Sequence, residues 1–262
     1  MLAAAPAAAL GNTTTTTETA TSGTVSAAFS FQGSFPDYRH QTLQITRSGQ
    51  VVYSQPVTAR LCGEECDPAS VVPRHLAIHV VDLEHNGQPD VVLDLFSGGA
   101  HCCTIEQVFS FDRDTGSYLR TQRDFGDPGA QLVDLRHNRR FEFLTADDSF
   151  AYRFTDFADS GLPIEIFTFA DRRFTNVTRR YPKLIAKDAA AYLSDFKHDL
   201  VDGDGLIAAW AADEDNLGHT ALVASTLAAK LKAGDLRSPD YASGQKFIAA
   251  LNRFLRHEGY VH

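Results

Sequence analysis

One segment of this chain occurs twice, and the distance between its copies constrains the fold more than any other feature. Val81-Asp-Leu-Glu-His-Asn-Gly-Gln-Pro-Asp90 aligns with Val133-Asp-Leu-Arg-His-Asn-Arg-Arg-Phe-Glu142, a spacing of 52 residues from Asp82 to Asp134. Val, Asp, Leu, His and Asn recur, and an acid closes both copies. The downstream runs Val108-Phe-Ser-Phe111 and Ile166-Phe-Thr-Phe169 also match in kind. A period near ~50 residues is the length of a propeller blade or a similar β-unit. Two clear copies, or three if residues 27–80 hold a decayed one, are too few to close a propeller of ~4–8 blades. The expected body is an open meander, a sandwich or an incomplete propeller-like stack.

The rest of the chain fits that body and adds a second kind of structure. Short runs rich in Val, Ile, Phe and Tyr, such as Thr42–Thr46, Val51–Tyr53, Leu76–Leu83, Val91–Phe96, Glu106–Phe111, Phe141–Thr145, Ala151–Thr155 and Ile164–Phe169, read as strands separated by Gly, Pro, Asp and Asn. Asp112-Arg-Asp-Thr-Gly116 is a turn signal. After Pro182 the apolar residues recur at three- and four-residue steps. Ile185, Ala189, Tyr192, Leu193 and Phe196 form one stripe, Val223, Leu227 and Leu231 a second, and Phe247, Ile248, Leu251, Phe254 and Leu255 a third. Gly234 and Gly259 stand where helices would stop. The expected fold is therefore α+β, a β-rich body of two or three blade-like antiparallel units with a C-terminal helical region packed on it. Its divisions are a terminal segment and linker over 1–23, the β-rich domain over 24–182 and the helices over 183–262.

Composition limits the function. The chain has 262 residues, 44% of them hydrophobic and 22% charged, enough for a sizeable core. A net charge of −9 repels nucleic acid and anionic membrane surfaces. No apolar run approaches the ~18–20 residues of a membrane span. Met1–Leu10 is Ala-rich, and Ala7-Ala8-Ala9 fits a small-residue cleavage site, so it reads as the tail of a signal peptide. The Thr-rich residues up to Gly23 read as a polar linker.

Four cysteines, Cys62, Cys66, Cys102 and Cys103, are an even count in a chain read as exported, so disulfides are expected. Of the three connectivities, the two that cross-link Cys62 and Cys66 to Cys102 and Cys103 are favoured over local closure with a vicinal bond. A thiolate zinc site near His101 is the weaker alternative, since adjacent cysteines seldom both ligate one tetrahedral ion.

The first copy of the repeat carries a candidate cation site. Calcium takes six to eight oxygen ligands on a tightly turning loop. Asp82, Glu84, Asn86, the Gln88 carbonyl and Asp90 offer such a set around the reversal at Gly87. The segment departs from an EF-hand, because a strand follows it and no Glu occupies the twelfth position. It resembles the calcium loops of FG-GAP and VCBS repeats, the units of integrin α-subunit propellers and of many bacterial exported proteins. Their pattern is D-x-D-x-D-G-x-x-D, here with Glu at the third position and Asn at the fifth. Ser97-Gly-Gly-Ala-His-Cys-Cys103 resembles a motif of exported bacterial proteins of that kind. The resemblance spans residues 76–180, leaves the helices unexplained and implies a structural calcium ion. The second copy lacks the set: Arg136 and Arg139 replace Glu84 and Gly87, and a guanidinium there would do the ion's electrostatic work.

The remaining signals are weaker. Asp202-Gly-Asp-Gly205 reads as a helix-leading turn. His75 and His79 read as surface or satisfied core residues, while Ser97 and His101 are candidates to line a pocket. No G-x-S-x-G elbow, phosphate loop, dinucleotide fingerprint or H-E-x-x-H helix occurs. The functional expectation is a secreted or cell-envelope module with structural calcium and a protein or glycan partner. The alternative is an extracytoplasmic hydrolase with its site between the β-body and the helices, marked by a cleft of acids with His101.

Overall fold

A computed structural model describes residues 14–69, 76–198, 203–236 and 240–261. The Met1–Leu10 segment, His75 and Asp202 lie outside the described residues.

The β region consists of three antiparallel sheets. The first runs in sequence order through β1 (Thr15–Ser22), β2 (Val25–Gln32), β3 (Arg39–Arg47) and β4 (Gln50–Pro56). In β2, Val25, Ala27, Phe29 and Phe31 point to the core while the residues between them do not, the period-two pattern of a half-covered sheet. The second sheet contains β5 (Asp67–Pro68), β6 (Ile78–Val81), β7 (Asp90–Gly99), β8 (Cys102–Asp112) and β9 (Ser117–Asp124), with β5 and β6 both paired to β7. β7 reads V-V-L-D-L without alternation because it is buried on both faces. The third sheet is β10 (Gln131–Val133), β11 (Glu142–Ala146), β12 (Ile164–Ala170) and β13 (Arg173–Asn176), again in sequence order. Each copy of the repeated segment closes a hairpin on equivalent residues, with Val81 opposite Asp90 and Val133 opposite Glu142.

Two strand expectations change. The Thr-rich stretch expected as a linker is β1, paired along its whole length with β2. Threonine is β-branched and suits a pleated strand. Its hydroxyls bond across to β2, Thr17 with Ser30 at 2.8 Å and Thr21 to Ser26 at 3.2 Å, so a polar edge is satisfied without apolar burial. Conversely, Ala151–Thr155 is not a strand. Asp147 accepts the Ser149 N–H at 3.0 Å and starts a 3-10 turn at Asp148–Phe150, and Tyr152 follows at φ 59°. These turns direct Phe150 and Phe154 into the helical core.

The chain divides into two compact units, one of residues 1–82 and 87–123, the other of 83–86 and 124–262. The first core is built from β2, β3 and β6–β9, with Phe29, Leu43, Ile45, Leu93, Ile105 and Phe109 fully buried. The second gathers α1 (Pro182–His198), α2 (Asp204–Asn216), α3 (Thr220–Ala233) and α4 (Gly244–His257) around Trp210. α2 is buried on nearly every side, with Ala208, Ala209, Ala211 and Ala212 in the core, as befits a helix enclosed by its neighbours. Gly234, at φ 78°, ends α3 by donating to Leu231 O, and the Ser243 hydroxyl caps the start of α4 by accepting the Lys246 N–H.

The third sheet and the helices share one compact unit, which takes residues 83–86 and 124–262. Ile166, Val177 and Tyr181 pack with Leu184, and Phe150 packs edge-on against Phe254 at 4.8 Å and Tyr260 at 5.7 Å. The third sheet and the helices therefore bury each other's apolar faces. Phe150→Ala should destabilise this unit by about 3–5 kcal/mol. Urea unfolding followed by helical circular dichroism checks it, and an unchanged helical transition would show that residues 183–262 stand alone.

Candidate binding groove and the two aspartate turns

The two repeated loops have one backbone design. His85 and His137 occupy the fourth position at φ 57° and 54°, and Gly87 and Arg139 the sixth at φ 77° and 65°. The aspartate at the first position holds the reversal. Asp82 Oδ2 accepts the Gly87 N–H at 2.7 Å; Asp134 Oδ2 accepts the Arg139 N–H at 2.7 Å, and its Oδ1 the Asn138 N–H at 3.0 Å. A left-handed conformation costs glycine nothing and an arginine roughly 1–2 kcal/mol, so the second loop relies more on its aspartate.

Of the other proposed ligands, Glu84 accepts from protein donors. Glu84 Oε1 accepts the Asp171 N–H at 3.0 Å and Oε2 takes the Asn86 amide at 3.3 Å. The Gln88 side chain accepts from Arg47, and Asp90 is buried at the start of β7. Among the described residues, no group of three or more His, Cys, Asp or Glu side chains could hold a metal ion. Arginine supplies positive charge near each closing acid instead. Arg47 stacks on Phe111 at 4.3 Å and faces Tyr118, which also lies in the field of Asp90. In the second loop Arg136 stacks on Tyr181 at 4.7 Å and donates to its hydroxyl at 3.2 Å, and that hydroxyl donates to Glu142.

The cysteines pair locally, against the favoured expectation. Cys62 bonds Cys66, and Cys102 bonds Cys103 across a cis peptide. Residues 59–66 close on themselves: Ala59 and Gly63 exchange backbone hydrogen bonds of 2.9 and 2.8 Å, and Glu65 N–H reaches Cys62 O at 2.9 Å. That turn sets the Cys62 and Cys66 Cα atoms 5.2 Å apart, within disulfide range, so neither sulfur is available for a cross-link or for zinc. Ser97 and His101 are not brought together around a pocket. Ser97 Oγ accepts the Cys103 N–H at 2.6 Å and fixes the hairpin, whereas His101 is exposed at its tip.

Ser97 does line a larger feature that the sequence did not signal, a groove of about 790 Å³ in the first unit. Its walls come from residues 36–42, from Glu64, Glu65 and Asp67 beside the Cys62–Cys66 turn, and from Ser97–Gly98. Asp67 is buried because β5 pairs its residue with Phe96. Nothing in the local sequence E-C-D-P distinguishes it from a surface turn.

Acids also cluster in the second unit. A cavity of about 330 Å³ is lined by Asp147, Glu165, Arg179, Asn216 and Glu258, without a histidine. Most of its polar groups bind one another. Tyr260 donates to Asp147 at 2.7 Å, Asn176 to Glu165 at 2.7 Å, and Arg179 to Asn216 Oδ1 at 3.1 Å and to the Gly259 and Tyr260 carbonyls. Between α1 and α2, burial, reinforced by the neighbouring Asp188, pushes the Asp213 carboxyl up to about 9. His79 sits 3.3 Å from Asp94, whose cross-strand neighbour Glu106 is raised well above the carboxylate range by burial and by Asp94 itself.

Two outcomes follow. Non-reducing digestion and mass spectrometry should find Cys62 joined to Cys66, whereas a peptide linking residues 62–66 to 102–103 would restore the cross-linked arrangement. Asp213 holds a proton in the folded state that the unfolded chain releases near pH ~4. Its contribution is therefore fully present below that pH and lost as pH rises through about 9. Asp213→Asn should flatten the fall in stability between pH 5 and 8 measured by urea unfolding; an equal loss at both pH values contradicts this.

No family model matches the chain, and no solved structure matches it. Over 132 residues, 49% of the chain, it is 28% identical to a "Probable thylakoid lumen protein" of Synechocystis sp., of which it covers 37%. Over 141 residues, 51% of the chain, it is 26% identical to an uncharacterized protein of Sinorhizobium fredii, of which it covers 22%. The chain thus spans less than two fifths of the length of these curated relatives.

Proposed function

We propose that the chain is an exported, β-rich interaction module of the cell envelope, with its binding surface in the groove of the first unit. The observation that carries this reading is the state of the cysteines: all four are paired and none is free. Disulfides persist in oxidising compartments outside the cytoplasm. The likeness to a protein named for the thylakoid lumen, an extracytoplasmic compartment, supports the same placement. No described helix is long and apolar enough to cross a membrane.

The three antiparallel sheets supply rigid, blade-like supports in the manner of FG-GAP and VCBS units, and the loops between strands carry recognition. The partner is a protein or glycan. This reading does not depend on calcium, because the Asp82 and Glu84 carboxylates already accept hydrogen bonds from the protein's own donors. The hydrolase alternative is less well supported. The acid-lined cavity of the second unit has no histidine in its lining, three pairs of its polar side chains already bond to one another, and His101 belongs to the other unit.

Fractionation of the native host followed by thiol titration of the undenatured protein tests the proposal. The protein should appear in the extracytoplasmic fraction with no titratable thiol. Cytosolic protein with four titratable thiols would overturn the export reading.

A further inference from the structure

The groove of the first unit holds a buried carboxylate that no described residue neutralises. Asp67 is 3% exposed, and no hydrogen bond or ion pair reaches its carboxylate among the described residues. Gly98 opens the space beside it: a Cβ there would lie 3.6 Å from Asp67 Oδ2. Burying an unpaired carboxylate costs several kcal/mol, so such groups are normally paired by the protein itself or by something it binds. Gln41, 4% exposed and on the same wall, donates its amide to Cys66 O and leaves its own carbonyl oxygen buried without a partner. Both groups are acceptors that face the groove, and both call for donors.

The surroundings favour positive charge. Asp37, Glu64 and Glu65 stand around the groove, against Arg39 and His40. Arg39 lies 3.9 Å from Asp37, and both side chains are solvent-exposed, so it is not committed to Asp67. Tyr38, packed edge-on against Phe31 at 5.4 Å, adds an aromatic wall on which a cation can rest. A bare metal ion does not suit the site, since no described group of acids and histidines could hold one and about 790 Å³ is the volume of an organic ligand.

We infer that this groove recognises an organic cation, an alkylammonium or guanidinium group, paired with the carboxylate of Asp67. The inference rests on the reading of the groove as the module's binding surface. Burial and the nearby Asp37 raise the Asp67 pKa in the empty protein, and an arriving cation reverses that tendency by stabilising the charged form.

The test is calorimetric titration of the full chain with spermidine and with a short, end-blocked Lys/Arg peptide, beside the same peptide carrying Glu. One cationic probe should bind and the Glu peptide should not. Tighter binding of spermidine assigns a free polyamine, and tighter binding of the peptide assigns a basic segment of a partner. Asp67→Asn should weaken binding about tenfold or more, the loss of one charge-assisted bond. It should also raise the melting temperature of the unliganded protein, whereas a merely structural carboxylate would lower it. Tyr38→Leu, which keeps an apolar contact with Phe31, should weaken binding severalfold, and Asp114→Asn, on an exposed turn, should leave it unchanged. Failure of both cationic probes, or equal binding by Asp67→Asn, overturns the inference. Neither result bears on export, which the thiol and fractionation measurements decide separately.

Discussion

The bond between an aspartate carboxylate and the backbone N–H groups of its own turn is the interaction on which the β region depends. Asp82 and Asp134 hold the two repeated loops, Asp112 takes the Asp114 and Thr115 N–H groups, Asp124 takes that of Gly126, and Asp156 that of Asp159. Each such bond is worth about 1 kcal/mol. Its larger effect is on register. A slip of one residue would turn every side chain of a strand to its other face, and β7 and β8, buried on both sides, leave no tolerance for that. The turns therefore decide which residues reach the core, and so where β5 pairs and where Asp67 lies.

The same chemistry explains why a turn can look like a metal site. Loops that hold cations and loops that merely reverse both place acids and Asn at alternating positions with a left-handed residue between them. The second loop separates the two needs. Its aspartate keeps the turn with Arg139 in the left-handed position, and the Arg136–Tyr181–Glu142 chain neutralises the closing acid. Arg47 occupies a comparable place near Tyr118 and Asp90 in the first. The shared architecture is an acid-capped reversal with an aromatic hydroxyl and a guanidinium behind it.

What could be read from the residues follows physical lines. The hairpin unit was legible because Asp, His and Asn sit at fixed offsets on both sides of the 52-residue spacing. Three helices were legible because their stripes recur at three- and four-residue steps, and α1, α3 and α4 fall where Ile185, Leu227 and Leu251 indicated. Strand β1 was missed because its threonines satisfy it by hydroxyl pairing, which leaves no apolar alternation. The Ala151–Thr155 error has the opposite cause: Phe150, Tyr152 and Phe154 alternate as in a strand, yet two of the three are drawn into the helical core. The groove left no trace, since Asp67 becomes a buried acceptor only through the pairing of a two-residue strand with Phe96.

The role of the Asp82 carboxylate is therefore the point to test. Asp82→Asn keeps an oxygen that can accept the Gly87 N–H but loses the charge an ion requires, whereas Asp82→Ala loses both. Thermal melts of wild type and both variants, in millimolar Ca²⁺ and in chelator, separate a cap from a ligand. Equal melting of the wild type in the two solutions is expected, with Asp82→Asn close to it and Asp82→Ala less stable by about 1 kcal/mol. A Ca²⁺-dependent rise in the wild type that Asp82→Asn abolishes would contradict the capped-turn account.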